Sequence, residues 1–149
     1  RDSEKKIGET GGIYYSAGMD YEGLQKFMAM VSGKGGGGDC PENNIEALKK
    51  GVSQATDYKE IIMIADNYAP VKDIKLLNTF TKPVHIIVCG AYGSVHPDYL
   101  KIAWKTGGSV HTIEEDITKI ATLAEGQEIK IGGVAYRIMG GEFVQVIKT

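Results

Sequence analysis

Apolar positions recur at two different spacings along this chain, and the change between them organises it. Leu24, Phe27, Met28 and Val31 follow i, i+3, i+4, i+7 behind Asp20, which predicts a capped amphipathic helix over Tyr21–Ser32. Ile45, Leu48, Val52 and Ala55 share one helical face, which predicts a second helix over about Pro41–Thr56. Two runs then lose all alternation, Ile61–Asp66 and Val84–Cys89, the mark of strands covered on both faces. Pro70 allows a helix near Val71–Thr79. Pro97–Thr106 reads as a helix with Leu100, Ala103 and Trp104 inward, stopped by Gly107-Gly108. Gly12–Ala17 and Ser109–His111 are short strand candidates. Thr112-Ile113-Glu114-Glu115 has the form of a capping box and predicts a helix to about Ala124, ended by Gly126.

Beyond Gly126 the spacing shortens to that of strands. Glu128–Ile131, Val134–Met139 and Glu142–Ile147 are separated by Gly132-Gly133 and Gly140-Gly141, which suit two-residue hairpin turns at positive φ. The predicted fold class is therefore α/β: a mostly parallel open sheet with helices on both faces over residues 1–126, and a C-terminal antiparallel meander over residues 127–149 packed on the same domain. In such sheets ligands sit beyond the carboxyl ends of the strands. Asp66 ends one buried run, Gly90–His96 follows the next, and the loop carrying Asp39 is expected at the same edge.

Composition narrows the function classes. The 149 residues fit one domain able to bury a sizeable core, and 42% hydrophobic with 24% charged residues is ordinary for a soluble globular chain. A formal net charge of -2 makes nucleic acid a poor partner. No apolar run approaches the roughly 20 residues of a membrane-spanning helix, and no signal peptide is visible. An opening residue of Arg1 is consistent with a mature or trimmed product, so the compartment stays open. Cys40 and Cys89 make neither a disulfide framework nor a metal-ligand spacing, and Cys89 reads as a small buried hydrophobe.

The candidate chemistry is acidic. Gly36, Gly37 and Gly38 run into Asp39-Cys40-Pro41-Glu42, where Asp39 is a favoured N-cap, Pro41 falls in the first turn and Glu42 lies three residues after the cap. Asp39 can tie down that helix or hold a ligand beside the sheet. Asp66, just past an apolar strand, can ligate a divalent ion or close an Asp-Asn turn. Gly33-Lys34-Gly35-Gly36 fails as a phosphate loop because its lysine precedes the glycines. His85, His96 and His111 are scattered, with His85 expected to be packed or hydrogen-bonded. No serine nucleophile elbow is visible, and Glu114-Glu115-Asp116 reads as a complement to a helix dipole.

Gly36-Gly37-Gly38-Asp39-Cys40-Pro41-Glu42, followed by Ile45, Ala47 and Leu48, resembles the GGGDxPE segment of von Willebrand factor A domains, in their bacterial and alpha-kinase-associated branch. Ile61–Asp66 and Val84–Gly90 resemble that fold's fourth and fifth strands. Tyr99–Val110 resembles its late helix and sixth strand, and Arg1-Asp2 resembles the end of a Tyr-Arg-Asp strand. The resemblance covers roughly Arg1–Ala124. It implies a metal-ion-dependent adhesion site, in which Mg²⁺ or another divalent cation completes its shell with an acidic group of a partner. Carried over by position, Asp39 and Asp66 are the metal ligands, with Gly36, Gly37, Gly38, Pro41 and Glu42 shaping the loop. The family's Asp-x-Ser-x-Ser motif and the strand before it are absent from these residues, so the implied site is incomplete and its occupancy low.

The leading expectation is a non-enzymatic interaction module that binds a protein partner through its carboxyl-edge loops. The exposed sheet edge and the meander are its candidate surfaces for self-association. A metal-dependent hydrolytic or enzyme-associated regulatory domain is the alternative. A degenerate fold in which Asp39 is only a cap is the third.

Overall fold

The computed structural model describes residues 13–34, 41–55 and 57–147. Asp39, Gly36, Gly37 and Gly38 lie outside them. The architecture is α/β, with a mixed four-stranded sheet and a separate three-stranded antiparallel one.

Three helices form. Helix α1, Tyr21–Ser32, is capped as expected: the Asp20 carboxylate accepts the Gly23 N–H at 2.8 Å. None of its residues is buried, and of its apolar stripe Phe27 and Val31 are half-buried while Leu24 and Met28 are exposed. Ile13–Ala17 form no strand. Helix α2 runs over Asn44–Gln54, three residues later than expected, because Glu42 is drawn into a parallel bridge with Val71. The Glu42 N–H donates to the Pro70 carbonyl at 3.0 Å, and Glu42 accepts from the Lys72 N–H at 2.9 Å. Asp73 then caps α2 from outside it, accepting from the Ile45 N–H at 3.1 Å and the Glu46 N–H at 2.7 Å. Helix α3, Pro97–Thr106, matches expectation in extent and in its inward Leu100 and Ala103. Gly107, at φ 77°, supplies the left-handed stop.

The four-stranded sheet has the order β1 (Ile61–Asp66), β2 (Val84–Cys89), β3 (Val110–His111) and β4 (Asp116–Ile117). The first three are parallel, and β4 returns antiparallel. Between β1 and β2 the expected helix is a 3-10 helix, Ile74–Thr79. The largest departure follows β3. Thr112 makes the hydroxyl bonds of a cap, accepting from the Glu114 and Glu115 N–H groups at 3.1 Å each. Its own N–H donates to the Glu115 carbonyl at 3.0 Å, which closes a turn and not a helix. The chain reverses into β4, and the later part of the expected helix shrinks to a 3-10 turn over Ile120–Thr122. Glu114-Glu115-Asp116 therefore faces no helix dipole. Glu115 accepts the Gly132 N–H instead, at 2.6 Å.

The core lies on one side of this sheet. Met63, Val84, Ile86, Val88 and Val110 point into it and meet Ile45, Leu77, Leu100 and Ile102. Among the described residues the other side is bare: Ile62, Ile64 and Ile87 are 61%, 69% and 41% exposed. This corrects the expectation of helices on both faces, and Cys89, expected buried, is exposed with them. The meander of β5 (Glu128–Ile131), β6 (Val134–Met139) and β7 (Glu142–Gln145) turns at the two Gly-Gly pairs and adds Ile131, Tyr136, Ile138 and Phe143 to the same core. Tyr136 fastens it, its buried hydroxyl accepting from the Val95 N–H at 3.0 Å and donating to the Val95 carbonyl at 2.8 Å. Gly132 lies so close to Gly93 that a Cβ there would stand 2.6 Å from the Gly93 oxygen.

Candidate functional site

The carboxyl edge of the parallel strands gathers three separated segments. Asp66 ends β1, exposed, with one oxygen accepting the Tyr68 N–H at 3.1 Å in an Asx turn. Asn67 reaches the loop after β2: its amide donates to the Ser94 carbonyl at 2.9 Å, and its oxygen accepts the His96 N–H at 2.8 Å. Asp98, in the first turn of α3, accepts the Val71 N–H at 2.8 Å. The 69–72 segment also pairs with Glu42, so the chain leaving the glycine run reaches this same edge. The polar side chains of Asn67, His96 and Asp98 thus satisfy backbone groups that loops would otherwise leave open.

Tyr99 reports the electrostatics of this edge. Burial pushes its phenol up to about 12. The Asn44 amide, 3.4 Å from the hydroxyl, opposes that, while the carboxylates of Asp66, Glu42 and Asp98 reinforce it. The rim is therefore acidic. Of the two expected metal ligands, Asp66 stands where it was expected and Asp39 falls outside the described residues. Pro41 and Glu42 lie beside the edge, in an extended pairing and not in the first turn of a helix. Among the described residues no group of three or more His, Cys, Asp or Glu side chains could hold a metal ion. One exposed carboxylate fits a cation held mainly by water, not one in a closed protein cage.

A second polar cluster lies on the side of the exposed isoleucines, with Ser109 buried, His85 and His111 half-buried and Asp116 exposed. Parallel register pairs Ile87 with His111, which brings the preceding Ser109 beside His85, and the β3–β4 hairpin pairs His111 with Asp116. His85 Nδ1 lies 2.7 Å from Ser109 Oγ, and Ser109 Oγ lies 2.7 Å from His111 Nε2. His111 Nδ1 lies 2.6 Å from Asp116 Oδ1. Glu60 approaches the far nitrogen of His85 at 3.5 Å. His85 is hydrogen-bonded, as expected. Sequence reasoning missed the rest. The Ser109-x-His111 spacing, which puts both side chains on one face of a strand, was the available signal. Asp116 had none, because its place depends on a turn where a helix was expected.

Compared with family models, with curated proteins and with solved structures, the chain matches none. Among the described residues no helix is long and apolar enough to cross a membrane.

Proposed function

We propose that this chain is a protein-interaction module, resembling a metal-ion-dependent adhesion domain, that recognises its partner at the carboxyl edge of the parallel strands. The reading rests on one observation: β1 ends in an exposed carboxylate, Asp66, at the edge where the chain leaving the glycine run also arrives. The rim is sewn together by Asn67 and Asp98, so it presents Asp66 on a rigid frame. Asp66 would ligate Mg²⁺ with one or two carboxylates and several waters, leaving a position for an acidic group of the partner. The acidic surroundings attract a cation and repel a bare carboxylate, so a partner's acidic group would bind only with the cation present.

Isothermal titration with Mg²⁺, alone and with acetate as a carboxylate mimic, tests this. Saturable binding in the millimolar range, tightened by acetate and lost in Asp66→Ala, is expected. Equal heats in the parent protein and Asp66→Ala would refute the reading. Tight stoichiometric binding would refute the incompleteness of the site.

A further inference from the structure

The Ser109 cluster lies on the side of the exposed isoleucines, with Ser109 itself only 6% exposed between His85 and His111, and its bonds admit the proton arrangement of a hydroxyl–base pair. Asp116 is acceptor-only when ionised, so His111 donates its Nδ1–H across the 2.6 Å bond. With that proton on Nδ1, Nε2 can accept the Ser109 hydroxyl hydrogen across 2.7 Å. Ser109 Oγ can then accept from His85 Nδ1, 2.7 Å away on the other side, while Glu60 lies 3.5 Å from the Nε2 of the same ring. In this direction the chain of bonds aims the serine proton at a base whose other nitrogen is held by a carboxylate. These are the relations that activate a nucleophile: hydroxyl to base, and base to orienting group.

We propose that Ser109 is a nucleophile that accepts the acyl group of an ester of an apolar carboxylic acid, with His111 as its base, Asp116 as the positioning residue for that base, and His85 as a second donor beside the reacting oxygen. The substrate class follows from the surroundings. Ile62 and Ile87 are register neighbours of His85 and His111 on the same bare face, and Ile64 lies beside Ile87. An acyl chain laid across them would bring its carbonyl to the serine. Ser109 Oγ forms a bond to the carbonyl carbon, its proton passes to His111 Nε2, and the carbonyl electron pair moves to oxygen beside the His85 N–H. Collapse of that adduct breaks the bond to the alcohol, which leaves with the proton from His111. Water then attacks the acyl-serine, giving a proton to His111 that returns to Ser109 as the acid departs. The sum is ester plus water to acid plus alcohol.

A structural polar chain tying β2, β3 and β4 together would show the same bonds but would not react. The test is an alkyl fluorophosphonate, which forms an Oγ–phosphorus bond and expels fluoride, followed by peptide mapping of the unaltered protein. An adduct on Ser109 is expected, with turnover of p-nitrophenyl butyrate abolished once labelling is complete. His111→Gln, which keeps a hydrogen-bonding group in place, should slow labelling by about 10²–10⁴-fold while the far-ultraviolet dichroism is unchanged. Asp116→Asn should slow labelling and also move the pH of its half-maximal rate. A folded protein whose Ser109 peptide carries no adduct, or His111→Gln labelled as fast as the parent, overturns the proposal. An unmoved pH profile in Asp116→Asn overturns the role given to Asp116.

Discussion

Two aspartates cap two helices here through bonds of similar length, and their removal should have very different consequences. Asp73 is fully buried and holds two backbone N–H groups at the start of α2, Ile45 at 3.1 Å and Glu46 at 2.7 Å. Asp20 is exposed and holds one, Gly23 at 2.8 Å, at the start of α1. A hydrogen bond to a charged group contributes about 1.5–3 kcal/mol, and a lost N-cap on a helix costs about 0.5–2 kcal/mol. In Asp73→Ala two donors lose their partner where water cannot replace it, and Ile45, wholly buried beside them, transmits the loss to the core. A cost of about 2–4 kcal/mol follows, a large part of the roughly 5–15 kcal/mol that stabilises a domain. In Asp20→Ala the freed donor turns to water, and α1 buries no residue through which to weaken the core. Its effect on global unfolding should stay below about 0.5 kcal/mol. Urea unfolding followed by Trp104 fluorescence reads both variants on one scale, and the slope m should be common to them. Equal shifts of midpoint in the two variants would refute the argument that coupling to the core, and not the cap itself, sets the cost.

The other two predictions concern the tyrosines. Tyr136→Phe removes both bonds to Val95 and leaves a buried N–H and C=O without their partner, so urea unfolding should show a loss of about 2–3 kcal/mol; a loss under about 0.5 kcal/mol would mean the meander is held by its apolar contacts alone. Tyr99 titrates near 10 in an unfolded chain but is pushed up to about 12 by burial in the folded one, so between those values the unfolded state alone sheds the proton and stability falls as pH rises. Urea midpoints at pH 9, 10 and 11 should decline more steeply in the parent than in Tyr99→Phe, and parallel declines would refute the shift.

Much of the fold was legible because local signals and tertiary demands agreed. Asp20 before an amphipathic run, Pro97 before another with Gly107 after it, and Gly-Gly pairs between alternating segments each specify an element through adjacent residues. The failures share a different cause. Asp73 caps a helix 28 residues before it in sequence, so the α2 start could not be placed from Asp39, Pro41 and Glu42. Thr112 makes its capping bonds, yet a cap hydroxyl serves a turn as well as a helix, and the pairing of His111 with Asp116 decides between them. The position of Asp66 at the end of β1 was legible because the apolar run stops there. The Ser109 cluster joins three strands, and only its Ser-x-His portion is local.

The bare face has a topological origin. The parallel strands step in one direction, β1 to β2 to β3, and right-handed crossovers that step one way all lie on the same side of a sheet. The 3-10 helix after β1 and helix α3 after β2 accordingly share one face with α2, and Met63, Val84 and Ile86 are buried beneath them. A helix reaches the opposite face only from a connection running the other way, past the edge of β1 that no described strand pairs. The unbroken apolar run of Ile61–Ala65 thus encodes two buried faces, while the connections among the described residues cover one. That leaves the open face divided by strand, apolar over β1 at Ile62 and Ile64, and polar over β2–β4 at His85, Ser109, His111 and Asp116. Ser109 is buried there, so its hydroxyl needs partners, and it finds them in two imidazoles at the border of the exposed apolar patch.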